Sequence, residues 1–224
     1  CEMTLRYKCL IVDHDDTAVN STATIHYPAH VEDMRKIRPS HDVIDLNRWL
    51  LKNCDPGLTA YLRDELHFTD EEMEFELETW RRMVSERVPE FYPGFLDLLY
   101  DFRSRGGIVA VVSHSDREII ERDYLAATSG ACLPEMIFGW TPDAEKRKPS
   151  PFPVKEILRT YQISPEETLV VDDLKPGVLM AQAAGVPVAG AGWGHQIPEI
   201  RDYMQRACTR YFRTVDELRD FVLP

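Results

Sequence analysis

Short runs of apolar residues, separated by helical patterns, constrain the fold of this chain more than any other feature. Such runs stand at 9–12 (CLIV), 108–112 (IVAVV), 136–138 (MIF), 169–171 (LVV) and 186–191 (VPVAGA). A strand that is apolar on both faces belongs in a parallel sheet with helices on both sides. The segments between the later runs have apolar residues at three- and four-residue spacing, as amphipathic helices do. The sequence therefore predicts an α/β fold built on a parallel sheet.

The stretch between the first two strands, from about residue 22 to residue 92, has a different hydrophobic pattern. Apolar residues recur there every three or four positions, for example in VIDLNRWLLKN and FTDEEMEFELETWRRMVSERV, which predicts amphipathic helices. Thr69 and Glu72 have the spacing of a capping box at the start of the last of these helices. Ser115 and Glu118 have the same spacing, and we expect them to cap the helix that follows the second strand.

The composition limits the partners of the chain. Its 224 residues carry a formal net charge of −12, so its surface should repel nucleic acid and anionic lipid. The sequence has no apolar run near the roughly 18 residues of a membrane span, and we expect no membrane partner. The cysteines are odd in number and scattered, which predicts free thiols in a reducing cytoplasm. The five are Cys1, Cys9, Cys54, Cys132 and Cys208. We expect a monomer or homodimer.

Polar residues at the ends of the predicted strands are the candidates for function, because ligands of such sheets bind beyond the carboxyl ends of the strands. A cationic cluster, EKRKPSP, precedes the predicted helix PFPVKEILRTYQI and offers Lys146, Arg147 and Lys148. The strand ends themselves supply Asp13, Asp15, Ser113, His114, Asp172 and Asp173.

Carboxylates that lie close together raise one another's pKa, so a cluster of this kind requires a cation. Hard oxygen donors with few nitrogen or sulfur donors point to Mg²⁺. A divalent metal, a lysine and a hydroxyl together suit a phosphoryl group in transfer. One carboxylate would attack phosphorus while a second handles the proton.

The strand-end residues resemble the motifs of the haloacid dehalogenase-like superfamily. The run DHDDT, from Asp13 to Thr17, resembles its DxDx[TV] motif, and Ser113 after an apolar strand resembles its second motif. KPSP at 148–151 and the Asp pair at 172–173, with Ala-Ala-Gly at 183–185 after it, resemble the third and fourth. The segment FYPGFLDLLYDFRSRGG resembles the helix before the second motif in phosphoglycolate-phosphatase-like members. The resemblance as a whole is to the phosphoglycolate phosphatase and β-phosphoglucomutase-like branch.

This resemblance implies a Rossmann-like core of residues 1–20 and 92–224 with an inserted α-helical cap of type 1 at 21–91. It implies that Asp13 is the nucleophile and a metal ligand. Asp15 would be the general acid and base, and its backbone carbonyl would bind the metal. Ser113 and Lys148 would hold the phosphoryl group. Asp173 would bind Mg²⁺ directly, and Asp172 directly or through water.

Other residues of the motifs have expected roles in binding. The backbone N–H of His14 would meet the phosphate while its side chain faces away, and Thr17 would buttress the loop. His114 would line the mouth of the site, and Lys146 is the second candidate for the lysine. The predicted substrate-binding set is Asp13, His14, Asp15, Thr17, Ser113, His114 and Lys148.

The expected activity is that of a Mg²⁺-dependent phosphatase, which hydrolyses a small phosphorylated metabolite through an aspartyl-phosphate. Haloacid dehalogenases lack an acid at the position of Asp15, so phosphate chemistry is favoured over carbon–halogen cleavage. Two alternatives stay open: a phosphomutase of the β-phosphoglucomutase kind, and a non-catalytic binding protein on the same fold. Substrate choice should depend on cap residues, with these polar candidates: His26, Arg35, Lys36, Arg38, His41, Arg48 and Lys52.

Overall fold

The computed structural model describes residues 5–224, so Cys1 and the start of the predicted core domain lie outside the described residues. Six parallel strands form one sheet in the order β3-β2-β1-β4-β5-β6. The strands are β1 (Cys9–Val12), β2 (Ile108–Val112), β3 (Met136–Phe138), β4 (Thr168–Asp172), β5 (Val188–Ala191) and β6 (Arg210–Phe212). The predicted α/β fold with a Rossmann-like parallel sheet is confirmed.

Helices connect the strands and fill the long segment after β1. The helices of that segment are α1 (Tyr27–Ile37), α2 (Leu46–Cys54), α3 (Leu58–Ala60) and α4 (Asp70–Glu86). Those of the sheet-containing part are α5 (Phe95–Ser104), α6 (Arg117–Thr128), α7 (Phe152–Tyr161), α8 (Lys175–Ala184), α9 (Pro198–Ala207) and α10 (Val215–Val222). No helix within residues 5–224 is both long enough and apolar enough to cross a membrane.

The first strand is the centre of the sheet, and this placement determines which residues become neighbours. Val12 pairs with Val111 of β2 on one side and with Val171 of β4 on the other. Every residue of β1 is at most 1% exposed, because helices cover both faces. Full burial of a leucine or isoleucine side chain stabilises a fold by roughly 1.5–3 kcal/mol. The residues that follow β1, β2 and β4 therefore meet at one edge of a well-packed sheet.

The chain divides into two compact units. One contains residues 5–19 and Phe91–Pro224, with the sheet; the other is the helical segment Asn20–Glu90. Trp49 belongs to the core of the helical unit, where it packs with Met34, Tyr61, Leu62, Leu66 and Phe68. The predicted capping box of α4 is confirmed, because Thr69 accepts from the Glu72 amide and Glu72 accepts from the Thr69 amide.

The helical unit also buries acidic groups that its sequence pattern does not reveal. Asp33 on α1 is fully buried, and burial raises its pKa from 3.8 to about 7. Burial and the charge of Asp33 raise the pKa of Glu76 on α4 to about 7. Glu32 raises the pKa of Asp33 further, whereas Lys36 and Arg82 lower it. An ionised Asp33 is therefore destabilising, since burial disfavours the charged form.

Replacement of Asp33 by Asn should stabilise the protein more at pH 8 than at pH 5. A raised folded-state pKa means that stability is lost as pH rises from about 4 to about 7, and an amide has no such loss. The gain should approach roughly 4 kcal/mol above pH 7, at about 1.36 kcal/mol per pKa unit. Urea unfolding at the two pH values measures it, with Asp42→Asn at an exposed position as control. An equal gain at both pH values would contradict the burial effect.

Candidate active site

The carboxyl ends of β1 and β4 bring three carboxylates together. The Asp13 amide donates to the Val171 carbonyl at 2.9 Å, which places Asp13 beside the end of β4. Oxygens of Asp13, Asp172 and Asp173 all lie within 4.8 Å of one another. None of the three residues is more than 6% exposed, so this is a buried acidic cluster.

Lys148 lies between two of these carboxylates. Its Nζ donates to Asp13 Oδ1 at 2.7 Å and to Asp172 Oδ2 at 2.9 Å, and the residue is 6% exposed. Burial alone would lower the pKa of Lys148, but the charges of Asp13 and Asp172 raise it above its usual value. The lysine is therefore a permanent cation that holds the two strand ends together.

One lysine does not neutralise the cluster. Burial raises the pKa of Asp13 well above its usual value; Lys148 opposes the rise, and the neighbouring carboxylates add to it. Burial, and then the charge of Asp172, raise the pKa of Asp173 in the same direction. Buried acids in this state are stabilised by a further cation, and an all-oxygen donor set fits a hard divalent ion such as Mg²⁺. The cluster of Asp13, Asp172 and Asp173 is able to hold a metal ion.

Asp15 is directed to the end of β2. Its Oδ2 accepts hydrogen bonds from Ser115 Oγ at 2.7 Å and from Ser113 Oγ at 3.2 Å. The predicted capping role of Ser115 is therefore wrong: Asp116 occupies the N-cap position of α6, and no side chain caps it. The Ser115 hydroxyl donates to Asp15 instead, a contact between distant segments that a local spacing rule does not include.

A tight turn follows the first strand. Asp16 adopts a left-handed backbone conformation with φ of 57°, and Asp residues tolerate this better than most side chains. Thr17 Oγ1 lies 3.5 Å from Asp13 Oδ2 and 3.5 Å from Asp173 Oδ1. The Trp193 indole donates to the Thr17 carbonyl at 2.8 Å. The side chain and the backbone carbonyl of Thr17 therefore both hold the turn in place.

The two histidines of the predicted set lie in different places. The His14 side chain is 1% exposed and hydrogen-bonds to Asp123 of α6 at 3.0 Å, so it faces away from the carboxylate cluster. His114 is exposed, and its Nε2 donates to the Lys148 carbonyl at 2.9 Å. His114 thus links the loop after β2 to the loop that carries the lysine.

Several other predicted candidates have partners away from this cluster. Lys146 is 57% exposed and lies 3.4 Å from Asp143, so Lys148 is the lysine within the site. In the helical unit, Lys36 pairs with Glu32, Arg38 with Glu72, and Lys52 with Glu65. The His26 ring accepts a hydrogen bond from the Trp80 indole at 2.8 Å.

The sequence did not predict a contact of His195 with the acidic cluster, and Gly177 also lies against the cluster. His195, in the loop after β5, has its Nε2 at 3.1 Å from Asp173 Oδ2. Gly177, on α8, packs against Asp172, and a Cβ at this position would lie 2.0 Å from Asp172 Oδ2. Gly177 stands where many members of the resembled family have an Asp, whereas no motif in the sequence points to His195.

A model of the haloacid dehalogenase-like hydrolase family matches residues 11–191. The chain belongs to this family. The match spans all four motif segments and the helical unit between the first and second of them. Of the catalytic residues that the resemblance implies, Asp13 and Lys148 are in direct contact, and so are Asp15 and Ser113.

Parts of this chain are similar to parts of curated phosphatases. A phosphoglycolate phosphatase of Pseudomonas aeruginosa is 28% identical over 138 residues, which are 62% of this chain and 48% of the relative. The pyrophosphatase PpaX of Anoxybacillus flavithermus is 41% identical over 51 residues, 23% of this chain and 24% of the relative. The matched segments thus span about half or less of these relatives.

Solved structures share the fold over nearly the whole chain. CbbY from Rhodobacter sphaeroides, in complex with phosphate, is 20% identical with a TM-score of 0.70, covering 95% of this chain and 96% of that one. A haloacid dehalogenase-like family protein from Streptococcus pneumoniae is 18% identical with a TM-score of 0.73, covering 96% and 98%. At these identities the likeness establishes the fold.

Proposed function

We propose that this protein is a Mg²⁺-dependent phosphatase that acts on a small phosphorylated metabolite. The observation that carries the proposal is the placement of Lys148 Nζ, 2.7 Å from Asp13 and 2.9 Å from Asp172, within the acidic cluster that also contains Asp173. A nucleophilic carboxylate, a fixed cation and a dication site at one strand edge suit the charge of a phosphoryl group in transfer.

The proposed reaction has two steps. An Asp13 oxygen attacks phosphorus, the bond from phosphorus to the ester oxygen breaks, and Asp15 gives that oxygen a proton. In the second step Asp15 takes a proton from water, the water oxygen attacks phosphorus, and the Asp13–phosphorus bond breaks to release phosphate. The hydroxyls of Ser113 and Ser115 orient the Asp15 carboxylate throughout, which supports its use as acid and then base.

The metal would be held by Asp13 and Asp173, with Asp172 directly or through water and the Asp15 backbone carbonyl as a further ligand. When bound, Mg²⁺ supplies charge compensation for the phosphoryl oxygens. Lys148 neutralises Asp13 and stays protonated, and the raised pKa of the lysine supports this. Thr17 lies near both Asp13 and Asp173 and restricts their rotation.

His195 is proposed to orient the metal ligand Asp173. Substitution of His195 by Phe should weaken Mg²⁺ binding about 10- to 100-fold, the usual effect of losing a residue that orients a metal ligand. His195→Asn, which keeps an N–H donor, should bind more tightly than the Phe variant. Calorimetric titration of the protein with Mg²⁺ measures both, with the exposed His41→Phe as control. Equal affinities in the Phe variant and the unmodified protein would remove His195 from this role.

The substrate is proposed only as a class, a phosphate monoester of a small metabolite. The relatives include a phosphoglycolate phosphatase and a pyrophosphatase, and a mutant of CbbY was solved in complex with xylulose-(1,5)bisphosphate. The segment predicted as the cap, residues 21–91, nearly coincides with the helical unit Asn20–Glu90 and is proposed to select among such compounds. A cytoplasmic location remains part of the proposal; Cys9, Cys132 and Cys208 form no disulfide.

Orthophosphate release across a panel of sugar phosphates, phosphoglycolate, nucleotides and pyrophosphate tests the proposal. Release that requires Mg²⁺ and stops in EDTA is the expected result. Isomerised sugar phosphate without free phosphate would instead establish the mutase alternative. Binding of Mg²⁺ without turnover of any compound would favour a non-catalytic protein.

A further inference from the structure

The side chain between the two motif aspartates makes a contact that the proposed chemistry does not use. His14 Nε2 lies 3.0 Å from Asp123 Oδ2, and both side chains are 1% exposed. A carboxylate oxygen accepts, so the imidazole Nε2–H donates. No hydrogen-bond partner for His14 Nδ1 exists among residues 5–224, which agrees with a proton on Nε2. The contact joins positions 109 residues apart in the chain.

Alternation of side chains explains why His14 points away from the carboxylate cluster. Successive residues of an extended chain project to opposite sides, so Asp13 and Asp15 face the site and His14 faces the protein interior. Aromatic rings surround it there: the Tyr124 and Phe91 ring centroids lie 5.8 Å and 6.2 Å from the imidazole. In such an apolar setting a hydrogen bond is stronger than in water.

The backbone of His14 also closes the turn by hydrogen bonding. Its carbonyl accepts from the Ala18 amide at 2.9 Å and from the Val19 amide at 3.0 Å. A hydrogen bond on the side chain therefore acts on the same residue that closes the turn. Because hydrogen bonds are directional, Asp123 fixes the rotation of this residue in a way that apolar packing does not.

Asp123 belongs to the same continuous segment that holds Asp15. Ser113 and Ser115 contact the Asp15 carboxylate just before α6 begins, and Asp123 contacts His14 from the second turn of α6. The Asp123 carboxylate is itself held by Arg122, whose Nη2 lies 2.6 Å from Oδ1. Residues 14 and 15 are therefore attached at two points to the segment 113–123.

We infer that the Asp123–His14 pair positions the Asp13–Asp15 loop for phosphoryl transfer, so that Asp123 is a positioning residue for the reaction. The inference rests on the proposed function. It assigns a role to the histidine at a position where the resembled family commonly has an apolar residue. Loss of the pair shifts the attacking and proton-transferring carboxylates relative to each other. Misplacement on the order of 1 Å reduces turnover about 100-fold in enzymes that depend on orientation.

Three variants separate positioning from stability. Asp123→Ala removes the acceptor and leaves a buried N–H unpaired, so it should lower both the melting temperature and kcat. Asp123→Asn keeps an acceptor oxygen for His14 and should retain kcat within about threefold. His14→Leu combined with Asp123→Ala replaces both partners by apolar groups of similar total volume, which removes the unpaired groups. The double variant should regain most of the melting temperature, yet its kcat should stay about 10- to 100-fold low.

Steady-state kinetics and amide hydrogen exchange are measured on the same variants. In the double variant KM should change less than about threefold, because the His14 side chain faces away from the carboxylate cluster. Amides of residues 13–19 should exchange faster. Glu121→Ala, at an exposed position of the same helix, is the control. Normal kcat in the double variant, or unchanged exchange of residues 13–19, would overturn the positioning role. An unmodified protein that releases no phosphate would overturn the proposed function instead, and the exchange measurement would still decide the role of the pair.

Discussion

Asp13→Asn should abolish turnover while the protein stays folded. An amide has no charge with which to attack phosphorus, so kcat should fall by at least about 10⁴-fold, in line with the removal of other catalytic nucleophiles. The side chain keeps its shape and still offers an oxygen to Lys148, whose Nζ lies 2.7 Å from Asp13 Oδ1. Orthophosphate release under saturating substrate and Mg²⁺ measures the loss.

The same substitution should not destabilise the metal-free protein. Burial raises the pKa of Asp13 well above its usual value, so the fold loses stability as pH rises and the carboxyl ionises. Asn removes that loss, and the melting temperature in EDTA at pH 7.5 should match or exceed that of the unmodified protein. A folded Asp13→Asn protein with turnover near normal would show that another group attacks phosphorus.

Lys148→Met should have the largest effect on stability. The substitution leaves Asp13 and Asp172 buried without the cation that contacts both, and breaking a buried pair in this way typically costs about 3–5 kcal/mol. Catalysis should fall about 10²- to 10³-fold as well, because a fixed charge on the transferred group is lost. Denaturant unfolding and phosphate release measure the two effects separately.

Mg²⁺ and a neighbouring lysine provide the controls for this variant. A dication at the acidic cluster compensates part of the missing charge, so Mg²⁺ should raise the melting temperature of Lys148→Met more than that of the unmodified protein. Lys146→Met, at a 57% exposed side chain two positions earlier, should change stability and turnover little. If the two substitutions had equal effects, Lys148 would not be the cation of the site.

Five of the six strands were predictable from the sequence because each contains a run of apolar residues, and the ligand-binding edge of such a sheet follows a general rule. The sixth strand, β6 (Arg210–Phe212), was not predicted, because it is short and begins with an exposed arginine. A strand such as CLIV at 9–12 leaves no polar face, which predicts burial on both sides. The positions of Asp13, Ser113 and Asp173 follow, since each stands just after such a run. The local sequence pattern was sufficient to find these site residues because they lie directly after the ends of strands.

The contacts that orient these residues were not predictable in the same way. Ser115, His195 and Asp123 each contact a motif residue that is distant in the chain, and sequence spacing carries no information on such pairs. Asp33 is a different case: an aspartate is rarely fully buried, yet Asp33 lies on the buried face of α1 with Ala29 and His30. Helix periodicity predicts which face of a helix packs inward, but it does not predict how deeply a polar residue on that face is buried.

Trapping of the phosphorylated enzyme decides whether the cluster around Asp13 carries out the reaction. Protein mixed with substrate and Mg²⁺ is quenched within one turnover, treated with borohydride to reduce any acyl phosphate, digested and analysed by mass spectrometry. Reduction of the side chain at position 13, absent from the Asp13→Asn protein and from samples in EDTA, is the expected result. If the enzyme releases phosphate but the reduced side chain is found at another residue, or at none, the attack by Asp13 is contradicted.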